Sequence, residues 1–107
     1  MDILFRDKKL QKTFESVDAL RRSYGDGVGK LSLRLQQLSA AETLADIQKI
    51  PSARLHALEN KDKKKYKGYI AIDIKQPYRL ICRPLNGLMS DFGTISAIEI
   101  VCVDDYH

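Results

Sequence analysis

The 107-residue chain contains no tryptophan, few aromatic residues, and no apolar run that approaches the length of a membrane span. A membrane helix needs about 20 predominantly apolar residues, so we expect no membrane association. The start of the chain carries an acid, Asp2, and only the short apolar run 3–5, which is a candidate first strand and does not fit a secretory leader. We therefore expect a cytoplasmic protein.

Cysteine and histidine are also scarce, with two of each. Cys82 and Cys102 both lie in apolar, strand-like runs, where a buried free thiol is the usual outcome in a reducing compartment. The two cysteines and two histidines lack the short spacings that are typical of zinc ligands. The sequence therefore predicts no structural disulfide, no metal site and no cofactor.

Positive charge is concentrated in one third of the chain. The length fits one domain, expected to span residues 1–107, and the net charge is +4. Residues 54–83 hold nine Lys or Arg against three Asp or Glu, a net +6, which leaves −2 for the rest of the chain. Such clustering is expected for a surface that faces phosphate, although the lysine-rich stretch 59–68 is equally well explained as a solvated loop.

The first half of the chain has helical periodicity. In the longest helix, Leu31, Leu35 and Leu38 recur at helical spacing and are predicted to bury together. Arg34 is then expected to turn toward solvent or a partner. The stretch 39–42 has the pattern of a capping box, which would end this helix and begin another.

The second half has the two-residue periodicity of strands. Residues 70–75 alternate isoleucine with other side chains, and apolar runs predict further strands at 79–83 and 97–103. A three-residue hairpin loop that places Ile74 opposite Leu80 matches the apolar faces. Helices followed by strands indicate an α+β fold, with N-terminal helices packed on one face of a small, mostly antiparallel sheet.

The sheet face opposite the helices is expected to be open and to carry the functional groups. The hairpin register places Lys75, Arg79 and Arg83 there, and His56 and the tail 104–107 would lie on this face or at its rim. RNA cleavage at its own 2′-hydroxyl requires a base, an acid and cations that stabilise the phosphate. This face would offer all three without a metal.

Both histidines can exchange protons near neutral pH. The acids of the tail surround His107 and favour its protonated form, so we interpret His107 as the acid and Asp105 as an orienting partner or base. Tyr106 can stack on an unpaired base or bond to the phosphate. A lone histidine such as His56 is more often structural, and a charged chain end is often only solvated, so these roles stay open.

Several short motifs occur in a fixed order along nearly the whole chain. They are Arg21-Arg22-Ser23-Tyr24-Gly25, Leu33-Arg34-Leu35-Gln36-Gln37-Leu38, Ala41-Glu42-Thr43-Leu44-Ala45-Asp46, Ile50-Pro51, Leu55-His56-Ala57-Leu58, Pro77-Tyr78-Arg79-Leu80-Ile81 and Asp105-Tyr106-His107. This order resembles the HigB group of bacterial toxins within the RelE/ParE superfamily. The lysine-rich stretch and Cys82 depart from that pattern, which has a glycine-containing loop and an aromatic residue there.

The resemblance implies a toxin that enters the ribosomal A site and cuts mRNA without a metal. It implies inhibition by a helix-turn-helix antitoxin of the HigA kind, and contact with operator DNA only through the antitoxin complex. It links the following positions to catalysis: His56, Asp105, Tyr106 and His107. It links Lys75 and Arg79 to RNA contact.

A rival interpretation is a non-catalytic binding module on the same fold, such as a ParE-like gyrase inhibitor. The histidine and acid content of the tail favours the ribonuclease, because a pure inhibitor requires neither. A small DNA-binding protein is disfavoured, since the sequence has no recognition-helix pattern and its positive charge lies on strands and a loop.

Overall fold

The computed structural model describes residues 1–58 and 66–105, with the backbone alone of Asp105. The helices are α1 (Lys8–Glu15), α2 (Val17–Tyr24), α3 (Val28–Ala40) and α4 (Leu44–Gln48). The strands are β1 (Asp2–Phe5), β2 (His56–Ala57), β3 (Ile70–Asp73), β4 (Tyr78–Pro84) and β5 (Ala97–Asp105). They form one sheet in the order β1-β5-β4-β3-β2. β1 pairs with β5 in parallel and the other neighbouring strands are antiparallel, which confirms the predicted α+β class.

The main core lies between the helices and one face of the sheet. Leu31 and Leu38 of α3 are fully buried there and Leu35 is partly buried, as their spacing predicted. They pack with alternate residues of the central strands, among them Ile72 and Leu80. Helices α1, α2 and α4 begin at side-chain caps. At the start of α1, for example, the carboxylate of Asp7 accepts a hydrogen bond from the amide of Leu10 at 2.8 Å.

Arg34 is buried on the same face of α3, so the prediction that it turns outward is wrong. Its side chain is only 2% exposed, and Nε donates to the carbonyl oxygen of Asp73 at 2.8 Å. The two terminal nitrogens donate to Gln37 Oε1 at 2.9 Å and to Ser52 Oγ at 3.2 Å. Position 34 falls between Leu31 and Leu38 in the i, i+3, i+7 series, and so the helix geometry itself directs it inward.

The predicted capping box at 39–42 is also wrong. α3 continues to Ala40, and Thr43 caps α4 by accepting a hydrogen bond from the amide of Ala45 at 3.2 Å. Asp46 reaches back to the amide of Glu42 at 2.9 Å, and this bond lowers the pKa of the Asp46 carboxyl. The pair of capping side chains is therefore Thr43 and Asp46.

The β3–β4 hairpin has a different register from the predicted one. Ile72 lies opposite Leu80, and the amide of Ile74 bonds to the carbonyl of Tyr78 at 3.2 Å. The predicted pairing of Ile74 with Leu80 is therefore wrong by two residues. A slip of two residues keeps every side chain on its own face, and so matching of apolar faces cannot detect it.

The sheet face opposite the helices is covered at its centre, contrary to prediction. A second core lies on it, formed by Leu58, Tyr66, Ala71, Ile81 and Val101. Each of these residues is at most 7% exposed. Leu58 and Tyr66 lie outside the strands, on either side of the stretch 59–65 in the sequence. They pack over the strand residues Ala71, Ile81 and Val101.

A β-bulge in β5 decides which of its residues face the second core. The register with β4 shifts at Ile81, and Val101 is an extra residue in β5. Cys102 then lies opposite Ile81, and Asp104 lies opposite Arg79, on the second-core face. Without the extra residue, strand alternation would turn Cys102 and Asp104 toward the helices.

Gly87 is a site where a side chain cannot be accommodated. Its φ is +71°, and an added Cβ would collide with the carbonyl oxygen of Thr94. We expect Gly87→Ala to lower the free energy of unfolding by about 2 kcal/mol or more, from backbone strain and the collision together. The matched control is Gly29→Ala in α3, where a Cβ meets nothing within 4 Å. In that control the free energy of unfolding, measured in urea, should rise by about 0.5–1 kcal/mol. Equal effects of the two substitutions would contradict this expectation.

Candidate active site

The second-core face carries His56, Arg79 and two aspartates in two rows that cross the sheet. One row runs from His56 on β2 to Cys102 on β5. The other consists of Asp73, Arg79 and Asp104 on β3, β4 and β5. Strands lie about 4.8 Å apart, so β2 and β5 are separated by about 14 Å. A nucleotide and its phosphate fit within that width.

His56 is oriented by a backbone hydrogen bond. Its Nδ1 lies 2.7 Å from the carbonyl oxygen of Arg54, a residue in the left-handed conformation with φ of 45°. A carbonyl oxygen only accepts, and therefore Nδ1 carries the proton. In the neutral ring Nε2 then holds the lone pair, which is the form a general base requires.

Arg79 is deeply placed at the centre of its row, with 4% of its surface exposed. It lies between Asp73 and Asp104 on the neighbouring strands. Asp73 also approaches Arg54, whose Nη1 is 3.5 Å from the carboxylate. This buried guanidinium therefore has an acidic residue opposite it on each neighbouring strand.

The structure separates the other two predicted phosphate contacts. Arg83 stays on the second-core face, where its Nε and Nη2 lie 3.2 and 3.3 Å from the two carboxylate oxygens of Glu99. This fork raises the pKa of Arg83. Lys75 instead reaches 2.7 Å to Asp26 in the turn between α2 and α3, and the contact lowers the pKa of Asp26. The expected placement of Lys75 beside Arg79 and Arg83 is therefore wrong.

Tyr66 is a residue of this face that sequence reasoning missed. It is 7% exposed, and its hydroxyl lies 3.2 Å from Cys102 Sγ. Burial raises the pKa of Tyr66, and the bond to Cys102 and the charge of Asp104 raise it further, while Arg79 opposes them. The available signal was that Tyr66 is the one apolar residue of the stretch 59–68.

The predicted anchoring of the tail is confirmed for its first part. β5 continues past the expected end at Val103, and the backbone of Asp105 pairs with that of Tyr78. The side chain of Asp105, together with Tyr106 and His107, lies outside the described residues. The structure therefore fixes the point from which the tail continues.

A metal site and a membrane-spanning helix are both absent from the described part of the chain. Within residues 1–58 and 66–105, no three His, Cys, Asp or Glu side chains converge on a position that could hold a metal ion. Cys82 and Cys102 are free thiols, and burial raises the pKa of Cys82. Among the described helices, none combines the length and apolar character needed to cross a membrane.

The architecture is that of a RelE-like toxin, and comparison with protein families supports this class. Residues 3–93 match the HigB-like toxin family, described as the RelE-like toxin of the type II toxin-antitoxin system HigB. The chain belongs to this family. It is therefore a toxin of a type II toxin-antitoxin system, a class that acts with an antitoxin partner. No curated protein and no solved structure matches the chain.

Proposed function

We propose that this toxin is a ribosome-dependent endoribonuclease that cleaves mRNA in the A site and so inhibits translation. RelE-like toxins generally act as endoribonucleases. The observation that carries the proposal is His56, whose Nδ1 is committed to a backbone carbonyl and whose Nε2 is left to accept a proton. Arg79 and the end of β5 lie across the same sheet face.

In the proposed reaction His56 Nε2 takes the proton of the RNA 2′-hydroxyl. The 2′-oxygen then attacks the adjacent phosphorus, and the bond from phosphorus to the 5′-oxygen breaks. His107 gives its proton to that leaving oxygen. The products are a 2′,3′-cyclic phosphate and a 5′-hydroxyl, and no redox partner or metal enters the balance.

The tail can supply the acid because of where β5 ends. His107 is two residues beyond Asp105, a reach of about 7 Å from a strand that lies about 14 Å from β2. A phosphate over β3 and β4 would thus have His56 on one side and His107 on the other. Asp105 would orient His107, and Tyr106 would stack on a base.

Cations would stabilise the charge that develops on the phosphate. Arg79 would act from within the face, where low exposure strengthens its field. Arg83 and Lys75 would exchange their partners, Glu99 and Asp26, for phosphate oxygens. Both present pairs are exposed enough for exchange, since surface ion pairs contribute only about 0–1 kcal/mol.

The proposed biological setting follows from the family. Residues 1–107 would form one toxin domain that acts in the cytoplasm, without a membrane or cofactor. Its partners would be a helix-turn-helix antitoxin of the HigA kind, the ribosome and mRNA. Operator DNA would be contacted only through the antitoxin complex.

Induced expression tests the proposal against the rival gyrase inhibitor. We expect growth to stop and primer extension to reveal new mRNA 5′ ends within translated regions, while plasmid supercoiling stays normal. The His56→Ala variant should lose the new ends, because removal of a general base costs about 100-fold or more. Growth arrest with intact mRNA and inhibited supercoiling would favour the non-catalytic ParE-like alternative.

A further inference from the structure

Among the described residues, the end of β5 is paired on one side only. β1 pairs with β5 from Ala97 to Ile100, and the last bond from that side joins the Arg6 amide to the Ile100 carbonyl at 3.0 Å. From residue 101 to 105, β4 is the strand that pairs with β5 in the described part of the sheet. A strand edge of this kind is more weakly fixed than the strand centre.

Tyr66 connects the second core to this edge of β5. Its ring packs among Leu58, Ala71 and Ile81, and its hydroxyl bonds to Cys102 Sγ at 3.2 Å. Cys102 immediately follows the bulged residue, which is where β5 departs from its regular register. The contact therefore joins the centre of the sheet face to the segment that continues into the tail.

We infer that Tyr66 is a positioning residue for RNA cleavage, which fixes the edge of β5 from which the proposed catalytic tail continues. This inference rests on the proposed function. In this role Tyr66 is a positioning group and not a catalytic one. It acts through Cys102, and a small displacement at that point is carried along the strand to the catalytic tail, where about 1 Å of misplacement can cost about 100-fold in rate.

Four variants of the full-length chain test the inference. Tyr66→Phe removes the hydroxyl, Cys102→Ala removes the sulfur, a double variant removes both, and Cys102→Ser keeps a hydrogen-bonding atom. Tyr69→Phe is the matched control, because it removes a hydroxyl from the adjacent ring, whose centroid is 6.1 Å from that of Tyr66. Cleavage of a short mRNA on purified ribosomes gives kcat and KM, and hydrogen exchange of peptides covering 101–105 reports the strand edge.

We expect Tyr66→Phe to lower kcat about 5- to 10-fold with KM unchanged, and to speed exchange at 101–105 about 5-fold, as loss of one hydrogen bond allows. Cys102→Ala should match it, the double variant should be no worse than either, and Cys102→Ser should recover part of the loss. Tyr69→Phe should behave as the wild type in both measurements.

Two results would overturn the inference in different ways. If the wild type cleaves and Tyr66→Phe has unchanged kcat, or the two single losses multiply in the double variant, Tyr66 does not position the tail through Cys102. If the wild type itself does not cleave, the proposed function fails and the catalytic role of Tyr66 fails with it. In that case the hydrogen-exchange measurement still shows whether Tyr66 fixes the edge of β5.

Discussion

Replacing His107 with alanine is expected to abolish growth arrest and to lower the mRNA cleavage rate by about 100- to 10,000-fold. The reason is that the leaving 5′-oxygen would lose its proton donor, and no other imidazole is available on the tail side of the site. Removal of the last three residues should have the same effect. The measurements are growth after induction and single-turnover cleavage on ribosomes.

The fold should not depend on His107, and this separates a chemical loss from a structural one. The backbone of β5 is paired through Asp105, two residues before the substituted position. We therefore expect the circular dichroism melt of His107→Ala to overlay that of the wild type. An exposed residue of α1, Lys12, provides the control Lys12→Ala, which should remain fully toxic. Unchanged toxicity of His107→Ala would exclude catalysis by the tail.

Arg34→Ala is expected to produce the largest loss of stability, about 3–5 kcal/mol. The substitution removes a nearly fully buried side chain and three hydrogen bonds, to Asp73, Gln37 and Ser52. It leaves the Asp73 carbonyl unpaired and opens a cavity between α3 and the end of β3. Urea unfolding measures the difference.

Two companion variants show which part of Arg34 matters. Lys30→Ala, at an exposed position of the same helix, should change stability by less than about 0.5 kcal/mol. Arg34→Met keeps most of the volume but no donors, so it should lie between Arg34→Ala and the wild type. A loss below about 1 kcal/mol in Arg34→Ala would mean that these three bonds contribute little beyond what water supplies.

Arg34 also shows why one core position could not be read from hydropathy. The leucines of α3 gave the correct buried face, because helix periodicity is a local property of the sequence. The same periodicity places position 34 on that face, but a charged residue is rarely buried, and so it was predicted to be outside. Its partners, Asp73 and Ser52, are 39 and 18 residues away along the chain, and no local pattern indicates them.

The sequence predicted which strand residues share a face of the sheet, but it did not predict the register between the strands. Alternation correctly separated Ile70 and Ile72 from Ala71, but the hairpin was placed two residues away from its observed position. The bulge at Val101 could not be predicted from the sequence, for a related reason. Ile98, Ile100 and Cys102 alternate as in a regular strand, and only the pairing with β4 reveals the extra residue.

The site was predictable where its residues carry their own chemistry. His56 and Arg79 were identified as candidates from residue type and family resemblance, and the structure places them on one sheet face. Lys75 was assigned to that face because the alternation was extended past Asp73, whereas β3 ends at Asp73 and Lys75 lies in the loop that follows. Tyr66 stands out only as the one apolar residue of the stretch 59–68, and its contact with Cys102, 36 residues away along the chain, required the tertiary structure.

The most direct measurement is cleavage of a defined mRNA by the purified toxin, with and without ribosomes, followed by analysis of the RNA ends. We expect cleavage only on ribosomes, a 2′,3′-cyclic phosphate and a 5′-hydroxyl at the cut, and loss of activity in both His56→Ala and His107→Ala. Intact mRNA on ribosomes, or cleavage that persists when both histidines are replaced, would contradict the proposed function.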